Sequence, residues 1–456
     1  MIGGVADGFL PRGWTTVSLK AIATKLADGS HNPPGKRESG VPMLSARNIL
    51  NNQIVFGGYR LISEEDFERE HTRTRISPGD VLLTIVGTIG RSAVVPASAK
   101  RFALQRSVAV ITPTGVLPKY LMYQFQAPFL QRHFERSARG TAQKGVYLKT
   151  LGQTPILVAP LEQQERIVAE IEKQFSRLDE AVANLNRVRA NLKRYKAAVL
   201  KAAVEGKLTE DWRKQNPDVE PASKLLERIL AERRAKSKDK GVYVESAAPD
   251  IDNFPALPKG WIWTSLGQLF EVYVGATPSR VKQEYWDGAI PWVSSGEVAF
   301  CRIRKTKERI TEKGLANSSA KLHPQGTVLL GMIGEGKTRG QVAILDIAAC
   351  NNQNSAAIRV SETGIPSEYV YRYLEGQYEE NRLLGSGNNQ PALNKARVQR
   401  IPLPLPPTNE QQQIVGEVER RLSVIEELES AIEANLTRSD RLRQAILQRS
   451  FSGELI

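Results

Sequence analysis

Cysteine and histidine are nearly missing from this chain, with two Cys and four His in 456 residues. Cys301 and Cys350 alone can build neither a disulfide framework nor a Cys-based zinc site. The four histidines have no clustered His, Asp or Glu neighbours, so no metal or nuclease centre is indicated. Long apolar runs are absent too. Val81 to Val86 and Val328 to Ile333 fall well short of the ~18 to 20 residues a membrane-spanning helix needs. The opening Met1-Ile2-Gly3-Gly4-Val5-Ala6-Asp7 lacks the basic and apolar stretches of a secretory signal, which makes the cytoplasm the expected compartment.

Acidic residues are outnumbered by basic ones, 49 against 63, for a net charge of +14. The excess is uneven: +10 over residues 1–159, +3 over 160–208, −1 over 209–256, +5 over 257–406 and −3 over 407–456. A basic surface draws in polyanions, and nucleic acid is the commonest such partner.

What the chain does have is an internal repeat at an offset of 247 residues. Leu10-Pro11-Arg12-Gly13-Trp14 with Ser18-Leu19 returns as Leu257-Pro258-Lys259-Gly260-Trp261 with Ser265-Leu266. Pro160, Gln164, Ile167, Val168, Glu170, Gly206 and Leu208 return as Pro407, Gln411, Ile414, Val415, Glu417, Gly453 and Leu455. The middles agree only in outline: Pro42 and Ser45 with Pro291 and Ser294, Val81-Leu82-Leu83 with Val328-Leu329-Leu330, Gln105 and Ser107 with Gln353 and Ser355. Kept ends around a varied interior suit two similar heads with two different targets.

The ends of the two copies carry heptads. Ile171, Leu178, Leu185, Leu192 and Val199 recur every seven residues, with Val168, Phe175 and Val182 beside them. Beyond Val182 the second stripe would fall on Arg189 and Lys196, so a shift of phase onto Val188 and Tyr195 is expected. The second copy offers Val418, Ile425, Ile432 and Ile446, broken by Ser439, with Val415, Leu422, Leu428 and Leu442 alongside. This is a coiled-coil seam, and each apolar stripe finds its nearest partner in the other. The glycines at 206 and 453 are helix stops, and the proline-rich stretches 155–160 and 402–407 separate head from rod. The expected organisation is a first head at 1–159, a spacer helix at 160–208, a linker with a short helix at 209–256, a second head at 257–406 and a second spacer helix at 407–456. The expected fold is α/β (α+β) heads with long helices, the heads in a pseudo-twofold arrangement joined by an antiparallel two-helix coiled coil.

In the first head, Pro42 to Ile49, Asp80 to Val86, Arg91 to Val95 and Ser107 to Thr112 read as strands and Lys119 to Arg136 as one helix. The second head repeats this at Pro291 to Val298, Thr327 to Ile333, Gln341 to Leu345, Ala356 to Val360 and Ser367 to Leu384. Loops rich in Gly, amide and basic residues join them. Arg and Lys donate to phosphates and guanine edges, and Asn and Gln pair with adenine. The candidate DNA contacts are Lys36, Arg37, Arg91, Arg106, Arg139 and Lys144 in the first head, and Arg280, Lys282, Lys337, Arg339, Asn388 and Lys395 in the second.

Two motifs imitate catalysis. Gly331-Met332-Ile333-Gly334-Glu335-Gly336-Lys337-Thr338 fits the phosphate-loop pattern, but a strand-like run follows where a helix should open. His31-Asn32-Pro33-Pro34-Gly35 resembles the Asn-Pro-Pro-aromatic loop of amino-methyltransferases, with Gly35 in place of the aromatic that would stack on a base. The chain is expected to perform no chemistry. A coiled-coil scaffold without DNA specificity is the alternative, and an ATPase a third reading.

The Leu-Pro-x-Gly-Trp openings, the Pro-Leu-x-x-Gln-x-x-Ile-Val run at 160–168, and Ala198-Val199-Leu200 through Gly206-Lys207-Leu208-Thr209 to Trp212-Arg213 together resemble the specificity subunit of type I restriction-modification enzymes. The resemblance spans nearly the whole chain. It implies two target recognition domains, each reading half of a bipartite double-stranded DNA site. It also implies docking of two methylation subunits and two restriction subunits with motor and nuclease activity. S-adenosylmethionine, ATP and Mg would belong to those partners, with no cofactor on this chain. The second copy departs from the pattern after Leu455, where the Thr-x-x-Trp-Arg run seen after Leu208 does not recur.

Overall fold

The computed structural model describes residues 10–140, 143–237, 245–250, 252, 254–334, 337–383 and 392–454. The chain forms two compact units, Met1–Arg187 with Ala431–Ile456, and Val188–Ser430. Each unit therefore holds one head and a segment of both long helices, Leu161–Val204 and Thr408–Ser452.

In the first unit an antiparallel sheet runs Ala23–Asp28, Val108–Pro113, Val81–Thr84, Ser92–Val94. The central strands, Val81–Thr84 and the first four residues of Val108–Pro113, are buried on both faces, which explains their unbroken apolar runs. One face, with Val81, Leu83, Ala109 and Ile111, packs on Tyr120, Leu121, Phe125 and Phe134 and on Ile167, Ile171 and Phe175 of the first long helix. Leu447 and Phe451 of the second long helix complete that core, with the Phe451 ring edge-on to Tyr120 at 5.3 Å. The other face, with Leu82, Val108 and Val110, packs on Leu44, Ile49, Phe102 and Leu104. These last residues border a smaller sheet, Arg60–Ile62, Val41–Leu44, Ala103–Leu104, in which the second pair is parallel.

The second unit repeats the plan. Its main sheet is Val272–Val274, Ser355–Ile358, Val328–Gly331, Val342–Leu345, Cys301–Ile303, and its smaller one is Glu308–Ile310, Trp286–Val293, Cys350–Asn351, again ending in a parallel pair. The hydrogen-bond register corrects one part of the repeat. Val108 pairs with Thr84 as Ser355 pairs with Gly331, so Ser355 is the counterpart of Val108, not of Ser107. The 247-residue offset thus persists through the paired central strands of the two main sheets.

The opening motif is a turn. The Trp14 amide donates to the Pro11 carbonyl at 3.0 Å and the Trp261 amide to Pro258 at 3.1 Å. Gly13 and Gly260 hold φ of +86° and +87° there, which a side chain would strain. The proline-rich stretches are strands as well as boundaries: Pro155–Val158 pairs with Thr15–Ser18, and Pro402–Leu405 with Ile262–Ser265. Two-stranded ribbons are all edge, where proline's missing N–H costs little. Each expected head helix is two. Pro118–Gln126 and Pro128–Ser137 break at Ala127, held extended before Pro128, and Ser367–Gly376 is followed by Tyr378–Leu383.

Inside each unit the long helices run antiparallel. In the first, the Arg443 guanidinium lies 4.6 Å above the Phe175 ring and pairs with Asp179. In the second, Leu200 and Ala203 face Ile414 and Val418 across a narrow apolar gap. Ile171, Leu192, Val199, Val418, Ile425 and Ile432 are buried, and Leu178, Leu185 and Ile446 half-buried. The expected shift of phase does not occur. Val188 and Tyr195 stand 45% and 47% exposed, while Lys196 keeps its seam position half-buried, 2.9 Å from Glu375. Leu428 and Leu442 are likewise exposed, and Leu436 and Arg443 hold the stripe. Long basic side chains can lie along an apolar surface and deliver their charge to an acid at its rim.

The segment after the first long helix is more than a connection. Ala222–Ser237 is a helix whose Arg233 donates to the carbonyls of Gly267 and Gln268 at 2.6 and 2.7 Å.

Candidate nucleic-acid interface

Parallel strands release their following loops on the same side of a sheet, and both heads use this. In the first head Val41–Leu44 and Ala103–Leu104 end together. The Gln105 amide then donates to the Leu44 carbonyl and the Arg106 amide to Ser30, each at 2.9 Å. The loop after Leu44 closes as a capping box between Ser45 and Asn48, and the Ala46 amide donates to Ser107 Oγ at 3.0 Å. Asn48 is buried, and its amide donates to the carbonyls of Val55 and Gly57 at 2.9 and 2.8 Å. Two loops are thus pinned side by side by main-chain bonds, leaving their side chains free to vary.

They border a cleft of about 540 Å³ lined by His31, Arg47, Thr88, Gln105, Arg106 and Gln143 among others. A second cleft of about 190 Å³ shares Ser45, Arg47 and Gln105 with it and adds Lys36, Tyr59 and Arg60. No acid lines either cleft among the described residues. His31 Nε2 lies 2.7 Å from Asp28, which also pairs with Arg73, so that carboxylate is turned to its own neighbours.

Of the candidates, Arg106 and Lys36 line the clefts. Arg139 and Lys144 border them: Arg139 exchanges main-chain bonds with Gly145, and the Lys144 carbonyl accepts from Gly87 at 3.1 Å. Arg37 is pinned through its amide to the Leu61 carbonyl at 2.9 Å, and the Arg91 amide donates to Thr84 Oγ1 at 2.9 Å on the hairpin behind. Arg47, Arg60, Gln105 and Gln143 escaped the sequence reading. The repeated Pro42 and Ser45 did mark the strand end from which Arg47 projects.

The second head keeps the frame and changes the side chains. The Asn352 amide donates to Val293 at 3.0 Å and the Ala276 amide to Asn351 at 2.9 Å, and Ser294 forms a capping box with Glu297. By this register Gln105 corresponds to Asn352, Arg106 to Gln353, Arg47 to Gly296 and Arg60 to Glu308. Three basic side chains are lost and one acid gained. Arg280 answers that acid: it pairs with Glu308 and lies 3.7 Å above the Trp286 ring. Lys282 Nζ donates to the Tyr285 hydroxyl at 3.0 Å, and Lys395 lies 6.0 Å above the Tyr273 ring. Lys337 is exposed in a turn. Arg339 is 8% exposed and does not stand on the surface with the others. Asn388 lies outside the described residues.

The run that imitates a phosphate loop connects Val328–Gly331 to Val342–Leu345, an antiparallel pair, and no helix follows Lys337 within it. Among the described residues no three His, Cys, Asp or Glu gather as metal ligands, and no helix is long and apolar enough to cross a membrane.

This is a duplicated α/β protein that presents two versions of one loop-built polar surface on shared long helices. The chain belongs to the family described as the type I restriction modification DNA specificity domain, whose model matches residues 11–193 and 258–438. It is 28% identical over 240 residues to the type I restriction enzyme EcoBI specificity subunit of Escherichia coli, an alignment covering 51% of this chain and 50% of that one. The chain thus spans half the length of that relative. With the EcoKI specificity subunit of Escherichia coli K12 it is 23% identical, over 99% of this chain and 91% of the relative. A solved chain from a study of complex assembly and conformational transition of the type I R-M system shares the fold, with a TM-score of 0.72 at 19% identity over 98% of this chain and 100% of that one.

Proposed function

We propose that this chain is the sequence-specific DNA-binding subunit of a type I restriction-modification complex, reading a bipartite target with one half-site per head. The observation that carries this is the pair of equivalent loop sites. Their main-chain frame is the same, while Gln105, Arg106, Arg47 and Arg60 become Asn352, Gln353, Gly296 and Glu308. A scaffold would have no need to vary those positions on so constant a frame.

Two heads also answer a problem of discrimination. Each mismatched base pair costs about 1 to 3 kcal/mol, so a few positions under one head select poorly against a genome. A second head on the same chain makes the second engagement intramolecular, provided the half-sites lie at the permitted distance. The long helices, each shared between both units, are the natural setting for that distance. Two methylation subunits would dock on this chain and methylate adenine with S-adenosylmethionine. Two restriction subunits would supply ATP- and Mg-dependent translocation and cleavage. The chain itself contributes recognition and no catalysis, and acts in the cytoplasm.

The test is reconstitution. The chain mixed with its methylation subunit and S-adenosylmethionine methylates a two-part site; methylation by the chain alone would sink the reading. The scaffold alternative is separated by salt, because a phosphate-binding chain loses affinity with a slope near −0.9 per neutralised phosphate on a log–log plot. Binding insensitive to salt favours the scaffold.

A further inference from the structure

Arg106 is the most informative side chain on this surface. Its amide is fixed to the Ser30 carbonyl at 2.9 Å, and the preceding Gln105 amide to Leu44 at 2.9 Å. The guanidinium projects from a rigid strand end into the cleft of about 540 Å³. Among the described residues it has no hydrogen-bond or ion-pair partner. The half-buried Gln105 beside it has no side-chain partner either. A cation left unpaired on a preorganised backbone is ready for a ligand without rearrangement.

The counterpart of Arg106 in the second head is Gln353, whose Oε1 accepts from Thr277 at 2.5 Å. Phosphates are common to every DNA sequence, so a phosphate contact would be needed by both heads alike. A base contact would differ between them. The main-chain bonds of the preceding residue are kept, Gln105 to Leu44 and Asn352 to Val293, while the side chain changes from the residue that fits guanine O6 and N7 to one that fits adenine N6 and N7. Lys36, on the adjoining cleft, is better placed for the sequence-independent share of binding.

We propose that Arg106 selects a guanine within the half-site read by the first head, and that Gln353 selects an adenine at the matching place in the other half-site. This rests on the reading of the chain as a DNA specificity subunit. Arg106 forks onto the two acceptors of guanine, a pattern no other base presents in the major groove.

The experiment is methylation of a DNA library, randomised across both half-sites, by the complex of this chain with its methylation subunit. Wild type, Arg106→Gln, Arg106→Lys and Gln353→Arg are compared. The expected result is a guanine at one position of one half-site for wild type, lost roughly 10-fold or more against adenine in Arg106→Gln, with the other half-site unchanged. Gln353→Arg brings guanine into the second half-site at one position. Arg106→Lys, which keeps the charge and loses the fork, keeps folding and reduces the guanine preference. A uniform loss across all sequences in Arg106→Gln, restored in Arg106→Lys, marks a phosphate contact and overturns the assignment. So does a half-site unchanged by both Arg106→Gln and Gln353→Arg. Wild type without any sequence preference is a different failure, that of the specificity-subunit reading itself.

Discussion

The indole Nε1 of Trp261 donates to Oε2 of Glu410 at 2.8 Å, across 149 residues of chain. The bond ties the opening turn of the second head to the first turn of the long helix that follows it. In the first unit, Trp14 donates to Gln163 Oε1 at 2.7 Å, again across 149 residues. The geometry is kept and the charge is changed. Glu410 is fully buried, and its other oxygen accepts from Thr209 Oγ1 at 2.6 Å and pairs with Arg213.

The carboxylate at 410 is therefore explained by Arg213. Glu410→Ala leaves that arginine and the Trp261 indole without their acceptor in a closed site and destabilises the second unit by about 3 kcal/mol. Glu410→Gln, the residue used at 163, keeps the indole bond, loses the ion pair and costs about 1 to 2 kcal/mol. Denaturant unfolding followed by Trp fluorescence checks the order. A cost-free Glu410→Gln would show that the charge at 410 does not matter, and equal costs for the two variants would show that the Trp261 bond adds nothing to it.

Gly416 lies within the second long helix, with nothing within 4 Å of where a Cβ would stand. Its repeat counterpart is Ala169. Glycine in a helix interior costs about 0.5 to 1 kcal/mol relative to alanine. Gly416→Ala is expected to raise stability by that amount and leave DNA selection unchanged, as read from thermal melting and half-site methylation. A lower melting temperature would mean the helix needs the flexibility of glycine there.

Much of this architecture was legible in the sequence, because it rests on periodicity. The unbroken apolar run at Val81-Leu82-Leu83 and the heptads through Ile171 and Ile425 are burial patterns, and burial is what the fold uses them for. Periodicity misled where a charged side chain takes an apolar position. Lys196 and Arg443 sit on the seam because Glu375 and Asp179 receive them, and those acids are remote in sequence from their partners. The polar surface was harder to see. Arg106 stood out as a basic residue in a loop, whereas Arg47 and Arg60 join it only through a parallel strand pair and a ladder that brings Arg60 opposite Met43. No local pattern encodes such long-range pairings.

His323 gives the second unit a sensitivity to acid. Its ring is fully buried, 5.6 Å from Tyr273, and Nδ1 accepts from Arg359 Nε at 3.3 Å. Burial, with the Arg359 and Lys321 charges nearby, pushes its pKa down to about 4. The unfolded chain takes up a proton near pH 6.5 and the folded chain only near pH 4. Stability from this group is thus complete above pH 6.5 and falls by about 3 kcal/mol as the pH drops through that window. His323→Leu should flatten the pH dependence of unfolding between pH 6.5 and 4. An unchanged slope would place the acid sensitivity elsewhere.

The long helices offer the sharpest test of the proposed spacing. Seven residues inserted near Leu185 in one helix alone would add two turns to a helix whose antiparallel partner is unchanged, mismatching the seam in one unit or the other. Matched insertions near Leu185 and Ile432, one heptad in each helix, keep the stripes in phase and lengthen both by about 10 Å. About three base pairs of B-DNA span that length at ~3.4 Å each. If the helices set the gap, the paired variant methylates sites whose half-sites are moved apart by about that amount, and each half-site keeps its own sequence. Rotation of one head about the DNA by the same base pairs makes neighbouring gap lengths worth scanning one by one. A variant that folds and still prefers the original gap would show that the helices do not set the spacing and serve only to join the heads.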